Sequence, residues 1–271
     1  MKKDIKYIID HDLHIHTFLS ICSRDPAQTP EHIIEYAKNH GLKYVCITDH
    51  FWDENVGHPN EAFKYQSITH NTSLLPLPKD KNVKLYFGAE ADMDKDFKIG
   101  LTKKSLELFD FITMSCVHLH HDGFTIKENA SLEDYKELYI SRLFAFLNAD
   151  LPFYKMGIAH ITARWLGGIN FENHLKIINS IPDKTYEEIF MLAKQKGCGI
   201  ELNVPVHIYN KEQIKVVMRP LVIAKKCGCK FYLGSDIHHP KDEELYFSKF
   251  KFMIDYLDLK ESDKFIPKAF K

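Results

Sequence analysis

Short apolar runs alternate along the chain with longer stretches whose apolar residues recur every three or four positions. Runs of the first kind predict buried strands, and stretches of the second kind predict amphipathic helices. The predicted strands are 5–13, 43–48, 84–89, 111–117, 155–159, 199–204 and 230–233. Regular alternation of strands with helices is typical of βα units around a parallel sheet.

Helix boundaries can also be read from local signals. Thr29 as N-cap, Pro30 at the first helical position and Gly41 after the last turn delimit the first helix. Thr185 and Glu188 have the spacing of a capping box for a helix that ends near Gly197. Further amphipathic helices are predicted over 132–148 and 211–226.

Two segments interrupt this alternation. Residues 51–82 are polar and hold three of the 11 prolines, which predicts a lid over the site. Residues 118–130 form a shorter loop that is expected to be a wall of the pocket. Because composition does not shift along the chain, residues 1–271 are expected to form one domain.

Composition excludes several classes of protein. A 45% hydrophobic and 13% aromatic chain of 271 residues can bury a continuous core. The net charge of −1, from 36 basic and 37 acidic residues, argues against broad binding of nucleic acid or an anionic membrane. The start of the chain lacks an apolar signal core, and six cysteines without a CxxC pair are typical of reduced thiols. These features predict a cytoplasmic enzyme.

Side chains that can bind metal follow the predicted strands at six places. Two-residue spacing puts His14 and His16 on the same side of a strand. Since the carboxyl ends of parallel barrel strands meet at one face, the whole set predicts one multi-metal site. Imidazole and carboxylate ligands suit zinc, manganese or iron. The set is His14, His16, Asp49, His50, Glu90, His118, His160, Asp236 and His238.

The order of these motifs resembles the PHP family of metal-dependent phosphoesterases, named for polymerase and histidinol phosphatase, over essentially the whole chain. The matching stretches are DLHIHT at 12–17, ITDH at 47–50, GAE at 88–90, SCVH at 115–118, IAH at 158–160 and GSDIH at 234–238. The resemblance implies an α/β fold, a distorted seven-stranded (β/α) TIM-like barrel, that holds two to three divalent ions.

The resemblance also implies the ligand sets. These are His14, His16, Glu90 and Asp236 for one ion, a bridging Glu90 with His118 and His160 for a second, and His50 with His238 for a third. The third ion needs one more ligand from the loop after the first motif, where the family has His or Asp and this chain has Cys22. We favour Asp25, because hard ions prefer oxygen, while a Cys22 thiolate and a weak third site remain alternatives.

Six further residues are expected around the ions. Asp12 and Asp49 are predicted to accept hydrogen bonds from ligating imidazoles or to fix backbone turns. Arg164 is the first candidate to bind phosphate and Arg24 the second, because a guanidinium matches phosphate oxygens. Glu201 and Asn203, at the end of a strand, are expected to face the pocket, where Glu201 is predicted either to bind a substrate amine or imidazole or to anchor a loop through hydrogen bonds.

The predicted activity is hydrolysis of a small phosphomonoester, with L-histidinol phosphate of histidine biosynthesis as the preferred substrate. Glu90, Asp236 and His238 are the expected catalytic residues, since they would hold the ions that activate an attacking hydroxide. The alternatives are a phosphodiesterase or 3′-end nuclease, which predicts a basic groove, and a non-catalytic metal-binding module. The general acid and the oligomeric state are not predicted.

Overall fold

The computed structural model describes residues 5–57 and 59–270 of the chain, so that Met1–Asp4, His58 and Lys271 of the predicted domain lie outside the described residues. Eight strands are present within these ranges. They are β1 His11–Ile15, β2 Tyr44–Ile47, β3 His50–Phe51, β4 Lys84–Ala91, β5 Phe111–Met114, β6 Met156–Ile158, β7 Gly199–Leu202 and β8 Lys230–Leu233.

The strands form one parallel sheet in the order β1-β2-β4-β5-β6-β7-β8, with β3 paired to β4. β2 and β3 keep the same register on β4, since Ile47 pairs with Phe87 and His50 with Glu90. They are therefore two parts of one strand that is interrupted at Thr48 and Asp49. The prediction of a seven-stranded parallel barrel is confirmed.

The barrel closes where β1 approaches the end of β8. Ile15 and Ile237 form a parallel bridge. The His16 amide donates to the Ile237 carbonyl at 3.0 Å, and the Asp236 amide donates to the His14 carbonyl at 2.7 Å. The segment with His14 and His16 and the segment with Asp236 and His238 therefore lie side by side across this seam.

Helices surround the sheet. They are α1 Pro30–Asn39, α2 Ile68–Thr72, α3 Lys103–Leu108, α4 Leu132–Asn148, α5 Phe171–Ser180, α6 Asp183–Lys196, α7 Lys211–Cys227 and α8 Glu243–Leu257. α1 begins as predicted, with the Thr29 hydroxyl accepting from the His32 amide at 3.2 Å. Within the described residues, no helix has the length and apolarity needed to cross a membrane.

The predicted capping box at Thr185 and Glu188 is wrong. α6 begins at Asp183, with Pro182 as its N-cap and without a side-chain cap, so that Thr185 lies inside the first turn. The reason is local: a proline disfavours helical geometry in the preceding residue, which ends the previous segment at Ile181 and starts the next helix directly.

The first strand is shorter than predicted. β1 begins at His11, whereas Ile5 and Ile8 are 64% and 46% exposed. The apolar pattern at 5–9 therefore does not belong to a buried strand. This segment instead pairs with the end of the chain, where the Tyr7 amide donates to the Leu259 carbonyl.

The inside of the barrel is filled by large side chains from several strands. A buried cluster contains Leu13, Cys46, Phe111, Tyr232, Phe265 and Phe270. Tyr232 passes so close to Gly157 that a Cβ there would lie 2.3 Å from its ring, and its hydroxyl lies 2.7 Å from the Thr113 hydroxyl. This plug gives the carboxyl end of the barrel a closed apolar floor.

Candidate metal centre

The histidines and carboxylates predicted from the strand ends do meet above this floor. Four groups each bring three ligand atoms within 4.8 Å of one another. These groups are His14, His16 and Glu90; His14, His160 and Asp236; His50, Glu90 and His118; and His16, His50 and His238. Because the groups share members, the eight side chains form one continuous cluster.

His14 and His16 form the deepest part of the cluster. Both are fully buried, and their Nε2 atoms lie 3.1 Å apart. The His14 Nδ1 atom lies 2.6 Å from the Glu201 carboxylate, which can only accept, so Nδ1 carries the proton. The other nitrogen, Nε2, is thereby left to face the cluster.

His16 is oriented in the same way by a short relay. Its Nδ1 atom lies 2.7 Å from the Ser20 hydroxyl, and Ser20 donates to Asp49 at 2.7 Å. Ser20 therefore accepts from His16 and leaves Nε2 of His16 free. Two such nitrogens at 3.1 Å repel unless a positive charge, a proton or a metal ion, lies beside them.

Glu90 lies at the centre of the cluster. Its Oε1 atom lies 2.7 Å from Nε2 of His160 and 3.7 Å from Nε2 of His118. Its Oε2 atom is buried without a hydrogen-bond partner among the described residues, although Nδ1 of His50 lies 2.9 Å away. Burial favours the neutral acid, but the charges of His50, His118 and His14 outweigh it and hold the pKa of Glu90 well below its ordinary value.

Asp236 completes the deep part. Its Oδ1 atom lies 3.0 Å from Nε2 of His16 and 3.5 Å from Nε2 of His14. Its backbone φ of 60° is in the left-handed region, which costs free energy in a residue other than glycine. The closed seam between β1 and β8 holds this conformation and thereby directs the carboxylate at the two histidines.

A buried ion pair behind His118 was missed in the sequence. Asp92 accepts from Nδ1 of His118 at 2.8 Å, and Arg142 donates to the other oxygen of Asp92 at 2.6 Å. The arginine is fully buried and also donates to the Ser115 carbonyl at 3.2 Å. A signal was present, since Asp92 lies two residues after Glu90 and Arg142 interrupts the apolar face of α4.

Asp12 and Asp49 are both buried, with different partners. Asp12 accepts from the His14 and Ser235 amides at 3.2 and 2.9 Å and from the Tyr36 hydroxyl at 2.9 Å. It therefore fixes the two backbone segments that meet at the seam. Asp49 accepts from the Thr17 amide at 2.7 Å and, through Ser20, orients His16.

Glu201 does not face the cavity, in contrast to the sequence expectation. One oxygen accepts from His14, and the other accepts from the His160 amide. A Cβ at Gly234 would lie 1.8 Å from Glu201 Oε1, so a glycine is needed there to admit the carboxylate. Glu201 therefore orients the His14 ring and holds the backbone at His160.

The outer edge of the cluster contains Cys22, His50 and His238. The Cys22 Sγ atom lies 3.1 Å from Nε2 of His50 and also contacts the His238 side chain. Desolvation of the sulfur atom raises the pKa of Cys22, but the charge of His50 and the hydrogen bonds from both imidazoles lower it to about 6. The thiol therefore occupies the position expected for the remaining ligand of a third ion.

Asp25 and Arg24 lie away from the cluster. Asp25 accepts from Nδ1 of His239 at 3.2 Å and from the Ala27 amide at 3.0 Å, so both of its oxygens have partners outside the cluster. Arg24 is exposed, with a φ of 51°, and does not line the cavity described below. The geometry thus favours Cys22 over Asp25, and Arg164 over Arg24.

A buried lysine supports the opposite wall. Lys249 of α8 is 1% exposed and donates to the Asn203 side-chain oxygen and, at 2.7 Å, to the Ser235 carbonyl. Burial lowers its pKa to about 8, although Asp236, Glu201 and Asp12 act in the opposite direction. Because the lysine needs the oxygen of Asn203, the amide nitrogen is left as a donor without a partner among the described residues.

The cluster opens into a cavity of about 580 Å³. Arg164 lines it and stacks on Trp165, with Cζ 4.2 Å from the ring centre. Phe63 from the predicted lid and His121 from the predicted loop wall also line it. Burial lowers the pKa of His121 to about 4, so its ring is neutral near pH 7. One side of the cavity is thus aromatic and uncharged.

These donors fit divalent cations. Glu90 offers a buried oxygen that makes no hydrogen bond within the described residues, and several imidazoles have Nδ1 occupied by an acceptor, so that Nε2 faces the cluster. Imidazole and carboxylate groups suit zinc, manganese and iron. When bound, such ions lower the pKa of water and neutralise charge on a phosphoryl group.

Comparison with known proteins agrees with this geometry. The PHP domain family matches residues 12–205, and the chain belongs to this family. It is 25% identical over 235 residues to a probable phosphatase of Caldicellulosiruptor saccharolyticus, which covers 86% of this chain and 82% of that relative. A probable phosphatase of Caldicellulosiruptor bescii is 22% identical with the same coverage. The prediction of a PHP-family phosphatase is confirmed.

Solved structures show the same fold. A histidinol phosphate phosphatase from Lactococcus lactis subsp. lactis Il1403, solved with zinc, L-histidinol and phosphate, superposes with a TM-score of 0.63 over 95% of this chain and 98% of its own, at 19% identity. A candidate histidinol phosphatase from Listeria monocytogenes gives a TM-score of 0.53 at 16% identity, over 86% of this chain and 97% of its own.

Proposed function

We propose that this phosphatase hydrolyses a small phosphomonoester and that L-histidinol phosphate is its substrate, which would place it in histidine biosynthesis. The observation that carries the proposal is a cavity of about 580 Å³ that opens onto the cluster and has one guanidinium, Arg164, in its wall. A volume of this size suits a metabolite. The ligand of the Lactococcus lactis protein supplies the specific candidate.

The charge of the lining supports a small substrate over a nucleic acid. Within the described parts of the chain, Arg164 is the one arginine or lysine that lines the cavity. A nuclease needs a basic groove that follows several phosphates, together with stacking aromatic residues. A single guanidinium beside the metal ligands is instead matched to one terminal phosphate.

The rest of the lining suits an alcohol that carries an amine and a flat ring. Asp242 is the one acidic lining residue outside the cluster within the described residues, and it can pair with an ammonium group. Phe63, His121 and Trp165 offer ring faces to an imidazole. In this proposal Arg164 binds the phosphate, Asp242 binds the amine, and the aromatic side excludes water.

The proposed ions would be two or three in number, drawn from zinc, manganese and iron. They would be held by the deep set His14, His16, Glu90 and Asp236, by His118 and His160 on the other side of Glu90, and by the outer residues His50 and His238. The chain itself orients His14 through Glu201, His16 through Ser20 and His118 through Asp92.

The test is phosphate release by the metal-loaded protein from histidinol phosphate, sugar phosphates, nucleotides and a short single-stranded oligonucleotide. We expect histidinol phosphate to give the highest kcat/KM. Arg164→Met should raise KM about 10–100-fold for every monoester, since one charge-assisted contact with phosphate is lost. Lys176→Met, on the exposed face of α5, is the matched control.

Asp242→Asn separates the specific substrate from the general activity. It should raise KM for histidinol phosphate and leave KM for a phosphomonoester without an amine unchanged, while Glu244→Gln should change neither. Preference for the oligonucleotide would overturn the small substrate. Equal kcat/KM for histidinol phosphate and simple sugar phosphates would overturn histidinol phosphate alone.

A further inference from the structure

The loop after β1 presents a thiol to the outer edge of the cluster. Ser23 donates to the His238 carbonyl at 2.6 Å, which ties the loop to the segment after β8. The Ser23 and Arg24 amides donate to the Ser20 carbonyl at 2.9 and 3.2 Å and close a tight turn. Cys22 lies in this turn, with Sγ 3.1 Å from Nε2 of His50. The backbone on both sides therefore fixes the thiol against the imidazoles.

The two imidazoles are already oriented for a shared ligand. Nδ1 of His238 lies 2.8 Å from the Asp236 carbonyl, which can only accept, so Nδ1 carries a proton and Nε2 is the nitrogen available to bind an ion. His50 turns Nε2 to the thiol and Nδ1 to Glu90. His16, His50 and His238 also place one nitrogen each within 4.8 Å of one another. Sulfur and nitrogen atoms thus converge at the outer edge of the cluster.

We propose that Cys22 is a metal ligand and that Cys22, His50 and His238 form a thiolate–imidazole site at the outer edge of the cluster. The inference rests on the metal cluster of the proposed function and is independent of the substrate. Three protein ligands leave a position open to the cavity, as in catalytic zinc sites. Because thiolate is a soft ligand, this site would favour zinc over manganese, unlike the oxygen-rich deep set.

Cobalt is the probe for this proposal, because a thiolate bound to Co²⁺ gives a charge-transfer band in the near ultraviolet that imidazole and carboxylate ligands do not give. The full-length protein would be stripped with a chelator and titrated with Co²⁺. We expect the band in the wild type and its loss in Cys22→Ser. Cys227→Ser, at a half-buried thiol at the end of α7, should keep the band unchanged.

Zinc binding provides a second readout that does not depend on cobalt. X-ray absorption of the zinc-loaded protein should show a sulfur neighbour at about 2.3 Å, which is absent in Cys22→Ser. In Cys22→Asp the outer site should still bind an ion, without the cobalt band and with a smaller preference for zinc over manganese. Because Cys22 is exposed, both variants are expected to fold.

The outcomes distinguish this proposal from the proposed function. Full cobalt loading without the band, or a band that persists in Cys22→Ser, would overturn the thiolate ligand and leave phosphatase activity untouched. Failure of the wild type to bind any ion would overturn both. Loss of the band in Cys22→Ser while deep-site cobalt absorption remains would establish Cys22 as a ligand of a separate outer ion.

Discussion

The deep and outer parts of the cluster are built differently. In the deep part, His14 and His16 are fully buried, and each has its Nδ1 atom fixed by a side chain, Glu201 or Ser20. In the outer part, His238 is fixed by a backbone carbonyl, and Cys22 lies on an exposed turn. Ligands with several side-chain supports are more strongly preorganised. The deep part should therefore bind its ion more tightly, while the outer part should exchange its ion with solvent more readily.

The largest effect on activity is expected when a side chain of the deep part is removed. His14→Ala should lower kcat/KM by more than ~1,000-fold, because it removes a ligand on which the whole cluster depends. Cys22→Ala should lower kcat/KM only ~10-fold in the same assay, because we expect the outer ion to assist the reaction without being essential to it. Metal content and circular dichroism would be measured on both. Equal losses would contradict the comparison between the two parts.

The next effect concerns Lys249, whose buried charge lies behind the deep part. Its folded pKa of about 8 is below the 10.5 of the unfolded chain, so the unfolded state binds more protons between these values. Protonation of Lys249 therefore lowers the free energy of unfolding by about 3 kcal/mol. This loss of stability is absent above pH 10.5 and is complete once the pH has fallen through 8. Chemical unfolding of wild type and Lys249→Met from pH 7 to 11 would measure it. If the free energies of unfolding of the two proteins changed with pH in parallel, the pKa of Lys249 would not be lowered in the folded protein.

A third prediction concerns the support behind a deep ligand. Glu201→Gln keeps the shape of the side chain but removes its charge, which weakens its hold on Nδ1 of His14. We expect metal affinity to fall about 10–100-fold. Calorimetric titration with zinc would measure it, with Glu188→Gln on the exposed face of α6 as control. Unchanged affinity would show that the deep part does not depend on this carboxylate.

The smallest effect is the order of release. During slow titration with a chelator, the outer ion should leave first, with an affinity ~10-fold weaker than that of the deep ion. Cobalt absorption would follow both, since the thiolate band reports the outer ion. Simultaneous loss of all absorption would mean that the parts act as one unit and that their different construction has no effect on affinity.

The contrast also explains what could be predicted from the sequence. The barrel and the meeting of histidines and carboxylates at its strand ends were predictable, because parallel strands present their carboxyl ends at one face and alternate residues share a side. The direction of Glu201 was not predictable, since it depends on the space left by Gly234, directly after the neighbouring strand β8. The choice between Cys22 and Asp25 depends on a turn that Ser20 and Ser23 close through tertiary contacts. Arg142 was not predicted, because buried arginines are rare, although it interrupts the apolar face of α4.

The seam between β1 and the end of β8 has a further consequence. His14 and His16 lie on one side and Asp236 and His238 on the other, while backbone hydrogen bonds cross between them at the same place. An ion bound there joins residues more than 200 positions apart, much as a disulfide closes a long loop. Metal binding would then stabilise the closed barrel as a whole, so that a chelator would lower the stability of the fold as well as the activity.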